Sequence, residues 1–134
     1  MDKKKILIVD DDGDLVKGLR IRLRASNYAV GVAADAISAI SEARKETPDL
    51  ILLDLGLPGG DGFIVMERLC NIESLASVPI IVLSARDPET SKNRALGAGA
   101  TAYLQKPVDN EELLTAIRKA LAEASECGGI NKRG

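Results

Sequence analysis

Five side chains of this sequence, Asp10, Asp11, Asp54, Ser84 and Lys106, are of types that handle phosphate, and each stands where an apolar run gives way to a loop. Asp10 and Asp11 close Ile6-Leu7-Ile8-Val9, and Asp54 closes Leu50-Ile51-Leu52-Leu53. An acid at the end of so apolar a run loses solvation and needs a counter-charge, a metal or a role as nucleophile. Taken singly, each residue has a plainer use. Asp54 would cap the loop Gly56-Leu57-Pro58-Gly59-Gly60-Asp61-Gly62, the acids from Asp10 to Asp14 would form a solvated turn, Ser84 would cap a strand end, and Lys106-Pro107 would make a turn. Taken together they change meaning. Carboxylates gathered at one point repel, and a hard divalent cation removes that penalty. Oxygen donors without His or thiolate favour Mg²⁺, Mn²⁺ or Ca²⁺ over zinc. Adding a lysine point charge and a hydroxyl donor gives the parts needed for phosphoryl transfer to a carboxylate, where catalysis is mostly positioning and charge neutralisation.

Composition narrows the field. The 134 residues fit one domain with a real core; 46% are hydrophobic but only 2% aromatic, so that core is aliphatic. With 18 Lys+Arg against 20 Asp+Glu, the net charge of −2 offers no footprint for nucleic acid or anionic membrane. The apolar runs are too short for a membrane span or a signal peptide, and Cys70 and Cys127 lack metal or disulfide spacing, which suits a reducing cytoplasm. The absence of His excludes His-based triads, His-ligated metals and phosphohistidine on this chain.

The elements that must position these residues alternate along the chain. Strands are predicted over residues 5–9, 28–33, 49–53, 80–83 and 101–104. Between them lie helical stripes: Leu15, Val16, Leu19 and Leu23; Ala36, Ile37, Ile40 and Ala43; Phe63, Val65, Met66 and Leu69; a weakly apolar stretch over 88–96 anchored by Ala95 and Leu96; and Leu113, Ile117, Ala120, Leu121 and Ala124 from about Asp109. Asp12 and Asp35 are the expected N-caps of the first two helices. Such alternation predicts an α/β fold, a doubly wound (βα)5 unit with a five-stranded parallel sheet covered on both faces. Sites in such sheets form at the carboxyl ends of the strands, which is where all five residues fall.

In order and spacing, the sequence resembles the receiver domain of two-component response regulators over about residues 4–125. The resemblance rests on Ile6-Leu7-Ile8-Val9-Asp10-Asp11-Asp12, Leu53-Asp54-Leu55 with Leu57-Pro58-Gly59-Gly60-Asp61-Gly62, Leu83-Ser84-Ala85, Gly97-Ala98-Gly99-Ala100, and Tyr103 with Lys106-Pro107. It implies the flavodoxin-like strand order 2-1-3-4-5. It makes Asp54 the phosphoacceptor, taking phosphoryl from a phosphohistidine of a sensor histidine kinase or histidine phosphotransfer protein. Asp11 would ligate Mg²⁺ (or Mn²⁺) directly, Asp10 largely through water, and the Gly56 carbonyl would add a ligand. Lys106 would pair with Asp54 and then with the phosphoryl group, Ser84 would donate its hydroxyl to that group, and the Lys106-Pro107 bond would be cis. Tyr103 would move with the loop of Ser84, and the surface around residues 88–121 would switch, allowing a phosphorylation-dependent homodimer. Such a chain is no enzyme in the ordinary sense: it promotes its own phosphorylation and dephosphorylation. It would be cytoplasmic and bind neither nucleic acid nor membrane itself, with its effector and output unspecified.

The receiver is expected to occupy residues 1–125, with 126–134 a flexible tail or the start of a linker. Gly56 and Arg86 stand at positions that tune dephosphorylation in the family, Gly13 replaces a frequent proline, and Val108 replaces the Phe of many DNA-binding members. A haloacid-dehalogenase-type phosphatase would want an acid at position 56. A flavodoxin would want hydroxyls where Asp10, Asp11 and Asp12 stand. The remaining alternative is a degenerate receiver acting as a phosphorylation-independent interaction module.

Overall fold

Runs such as Ile6-Leu7-Ile8-Val9 and Ile80-Ile81-Val82-Leu83 are apolar at every position, so they fit a sheet with both faces covered. In the computed structural model, which describes residues 3–57, 62–85 and 88–130, they form such a sheet. The strands are β1 (Lys5–Val9), β2 (Ala29–Ala33), β3 (Leu50–Asp54), β4 (Ile80–Ser84) and β5 (Ala102–Gln105). They pair in parallel in the order β2-β1-β3-β4-β5. The helices are α1 (Gly13–Ala25), α2 (Ala36–Glu46), α3 (Gly62–Cys70), α4 (Pro88–Gly97) and α5 (Asn110–Ile130), with a 3-10 turn at Glu73–Leu75.

The sheet separates two cores. Val16, Leu19 and Leu23 of α1 join Leu113, Ile117 and Ala120 of α5 on one face, over Ile6, Ile8, Leu50, Leu52, Ile81 and Leu83. The other face packs α2, α3 and Ala95 of α4 over Leu7, Val9, Ile51, Leu53, Ile80 and Val82. The alternation of inward partners along each strand is the period-two geometry of a pleated sheet. Both expected caps form: the Asp12 carboxylate accepts from the N–H groups of Asp14 and Leu15, and that of Asp35 from Ser38 N–H at 2.7 Å.

Differences from the sequence expectation are local. β2 begins at Ala29 rather than Tyr28, and β3, β4 and β5 each end one residue later than expected, so that Asp54 and Ser84 are the last residues of their strands. Ile37 is not part of the buried stripe of α2: Ala36, Ala39 and Ala43 face the sheet, Ile40 packs partly, and Ile37 is 78% exposed. Leu96 likewise is exposed, while Ser91 and Ala95, one turn apart, hold α4 to the core. The α5 backbone remains helical to Ile130, past the boundary expected after residue 125; residues 131–134 lie outside the described residues.

Candidate functional site

Strand register builds the site. Val9 lies opposite Leu53, Asp54 opposite Leu83, and Ser84 opposite Gln105, so four strands end level and deliver Asp10, Asp54, Ser84 and Lys106 to one edge. One oxygen each from Asp10, Asp11 and Asp54 lies within 4.8 Å of the others. Asp10 and Asp54 are buried and Asp11 is exposed, so the cluster has a closed floor and an open mouth.

Lys106 holds the acids together. Its Nζ donates to Asp10 Oδ2 at 2.8 Å and stands 3.5 Å from Asp54 Oδ1. The lysine therefore bridges both acids, with the closer contact to Asp10 rather than to Asp54. Its backbone is fixed as well: Lys106 N–H donates to Ser84 O at 2.8 Å, and the Lys106-Pro107 bond is cis, as the resemblance implies. The other oxygen of Asp10 accepts from Asp12 N–H at 2.9 Å. Both oxygens of Asp10 thus have protein partners, while the Asp11 carboxylate faces solvent.

Burial raises the pKa of Asp54 above the ordinary carboxylate value; Lys106 opposes the shift, the charge of Asp10 adds to it, and Gly56 N–H opposes it again. Burial also pulls the Lys106 ammonium down, but the hydrogen bond and charge of Asp10, joined by Asp54, more than reverse this and leave its pKa raised. The donor set fits a hard cation. The clustered oxygens are carboxylates, no His or thiolate is among them, and two of the acids are buried with, among the described residues, a single lysine as counter-charge.

Around this centre, the hydroxyl-bearing Ser84 is 1% exposed at the end of β4. Gly56 is exposed beside Asp54, and a Cβ there would lie 4.0 Å from Asp54 Oδ2, so any side chain would stand over that oxygen. Tyr103 is buried in the core on the α4 side, 8% exposed. Arg86, and with it the loop stretch 58–61, lies outside the described residues.

Two contributors had no chemical signature in the sequence. Gly62 N–H donates to Leu55 O at 3.1 Å, and a Cβ on Gly62 would come within 2.5 Å of the Leu55 backbone. Only glycine lets α3 start so close behind the acid. The Arg94 guanidinium of α4 stacks 3.8 Å above the Phe63 ring centroid, tying α4 to the start of α3. Each is one ordinary residue whose role depends on long-range packing.

Comparison with known proteins agrees with this geometry. The family model for the response regulator receiver domain matches residues 6–118. The KDP operon transcriptional regulatory protein KdpE of Escherichia coli K12 is 42% identical over 120 residues, covering 90% of this chain and 52% of that protein. The chain spans about half the length of the first such curated relatives it matches, from 48% to 52%. The protein PilH of Pseudomonas aeruginosa is 36% identical over 118 residues and is covered over 98% of its length, with 88% of this chain. Among solved structures, the receiver domain of the sensor histidine kinase PA1611 from Pseudomonas aeruginosa PAO1 superposes with a TM-score of 0.83 at 30% identity, covering 90% of this chain and 99% of that one; it has a magnesium ion coordinated in its active-site cleft.

Proposed function

Because this chain belongs to the response regulator receiver domain family of two-component signalling, we propose that Asp54 is its phosphoacceptor and that Lys106, Ser84, Asp10 and Asp11 promote the transfer. The observation that carries this reading is the lysine-bridged acid cluster, with Lys106 Nζ 2.8 Å from Asp10 and 3.5 Å from Asp54 at a shared strand edge.

In the proposed reaction an Asp54 carboxylate oxygen attacks the phosphorus of a phosphohistidine on a histidine kinase or phosphotransfer protein. The P–N bond breaks, its electron pair stays on the imidazole nitrogen, and that nitrogen takes up a proton from water. Asp11 would coordinate Mg²⁺ (Mn²⁺ in its place) directly and Asp10 through water, with the Gly56 carbonyl as a further ligand; the cation supplies charge that offsets the gathered carboxylates and the incoming phosphoryl oxygens. The two protein hydrogen bonds on Asp10 and the exposure of Asp11 support this division of labour. The magnesium in the cleft of the PA1611 receiver supports the same choice of metal. Lys106 is held by Asp10 within reach of both acids, so it can follow the negative charge from Asp54 to the phosphoryl oxygens. Ser84 would donate to the phosphoryl group, and Tyr103 would respond to the movement of its loop. Gly56 leaves the acceptor open to water, and Arg86 is the other position proposed to tune the lifetime. We place the receiver over residues 1–125, in the cytoplasm, with output through an effector on the same or another chain and a homodimer formed on phosphorylation.

The test is intact-mass spectrometry after incubation with acetyl phosphate and Mg²⁺. One phosphate per chain is expected, abolished by a chelator and by Asp54→Asn. No uptake, or uptake unaffected by Asp54→Asn, would overturn the reading and favour the phosphorylation-independent interaction module.

A further inference from the structure

The groove between α2 and α3 lies away from the acid cluster and has no part in phosphoryl chemistry. It measures about 570 Å³ and is lined by Ile37, Ile40, Ser41, Arg44, Lys45 and Arg68. We propose that it binds an acidic amphipathic helix of a second protein, apolar anchors at one end and carboxylates at the other.

The first argument is exposure. Ile37, at one end of the groove, is 78% exposed. A large exposed aliphatic side chain beside a partly buried Ile40 forms an apolar end that gains by being covered.

The second is charge. The chain carries a net −2, yet every charged residue lining the groove is basic. Glu42, Glu46 and Glu67 belong to the same helices but do not line it. Among the described residues no acid pairs with Arg44, Lys45 or Arg68, whereas Lys5 does pair with Glu46. Cations in the last turns of α2 and α3 also oppose the helix dipoles. That accounts for their position, but not for the exposed Ile37 at the other end of the same groove.

The third is polarity and length. Both helices run from the carboxyl to the amino ends of the parallel strands, so their basic carboxyl-terminal halves lie side by side, with the apolar end of the groove supplied by the first half of α2. From Ile37 to Arg44 is two helical turns, roughly 11 Å at 1.5 Å per residue. An occupant with this spacing is a helix bearing aliphatic residues one turn apart and carboxylates about two turns further on. A two-fold pairing of this face with itself would set cations against cations or against the apolar end of the other copy, and would supply no carboxylate to the basic end. Three cations in a cleft on an anionic protein are also poor membrane adhesion, at about 1 kcal/mol per basic residue near an anionic surface.

The test is a ¹⁵N-resolved NMR titration of the whole chain. The probe is a synthetic helical peptide with two leucines one turn apart and glutamates two turns beyond. Saturable shifts at Ile37, Ile40, Ser41, Arg44, Lys45 and Arg68 are expected. Raised salt should weaken them, and the double variant Arg44→Glu/Arg68→Glu should lower affinity roughly tenfold. A peptide with lysines in place of the glutamates should regain binding to that double variant. Ile37→Asp should abolish the apolar end of the footprint, while uptake of phosphate at Asp54 stays unchanged in every variant, so the groove and the acid cluster are tested separately. The proposal is overturned by absence of saturable shifts, by a footprint elsewhere, or by binding indifferent to charge reversal. Binding of anionic vesicles through these residues, or concentration-dependent self-association through them, would overturn it equally, in favour of a membrane or a second copy.

Discussion

Asp54 and its neighbours define what can be tested one residue at a time. In metal-free protein, burial holds the Asp54 carboxyl above its ordinary pKa, so the folded chain keeps a proton that the unfolded chain has already lost. Stability from this group therefore falls as pH rises from the unfolded value through the raised one. A ¹³C-NMR titration of the Asp54 carboxyl in chelator should give a midpoint above that of an unperturbed aspartate. Mg²⁺ should bring it down, and Lys106→Met, which deletes the cation opposing the shift, should push it further up. A midpoint at or below the ordinary value in chelator would contradict the buried, lysine-bridged geometry. Gly62 offers a steric test of the same corner. With only 2.5 Å between its added Cβ and the Leu55 backbone, Gly62→Ala must move the segment that carries Asp54. Denaturant melts should show a loss of about 1–3 kcal/mol, the usual cost of overpacking. Phosphate uptake at Asp54 should fall with it, whereas a melt identical to wild type would mean that α3 can retreat without strain.

Elements differ in how firmly their sequences anchor them, and among its described residues α4 buries few side chains. Ser91 and Ala95 are its deeply buried residues among those described, and both are small. The Arg94–Phe63 stack adds a further attachment, to the start of α3. Arg94→Ala should speed amide exchange across α4 while leaving α1 and α5 unchanged, at a cost of about 0.5–1 kcal/mol. Equal exchange in α4 with and without the guanidinium would assign its anchoring to the buried pair alone. The same helix marks the limit of what could be read from the residues. Strands announced themselves as unbroken apolar runs, and Asp12 and Asp35 announced helix starts, because those signals are local. Large side chains misled where small ones do the packing. Ala36, Ala39 and Ala43 let α2 sit close on the sheet and turn Ile37 outward, and Ser91 with Ala95 does the same to Leu96. Periodicity weighted by hydrophobicity favours the isoleucine or leucine, whereas burial follows the face that fits the space. The candidate residues Asp10, Asp11, Asp54, Ser84 and Lys106 were legible as a group because each lies at or just past the end of a strand. Gly62 was legible only as a member of a loop motif and Phe63 only as a member of a helical stripe, since their partners Leu55 and Arg94 lie on separate segments.

For the molecule as a whole, the acid cluster would couple folding to binding of the proposed cation. Three carboxylates share a space of 4.8 Å with one lysine against them, so the folded state bears a repulsion that the unfolded chain relaxes. A cation that binds only the folded form adds RT ln(1 + [L]/Kd), about 1.4 kcal/mol at ten times Kd, which for a domain of this size raises Tm by roughly 4–6 °C. Asp11→Asn separates the two contributions by sign. In chelator it removes one repelling charge from an exposed position, so Tm should hold or rise. In Mg²⁺ it removes the most accessible carboxylate, so most of the magnesium-dependent increment should vanish. The two effects cross: the variant should match or exceed wild type without the cation and fall below it with the cation. Calorimetric scans of both chains across a magnesium series read this directly. An unchanged increment in Asp11→Asn would move the metal away from this carboxylate, and a lower Tm in chelator would mean that Asp11 stabilises the fold through a contact other than a metal.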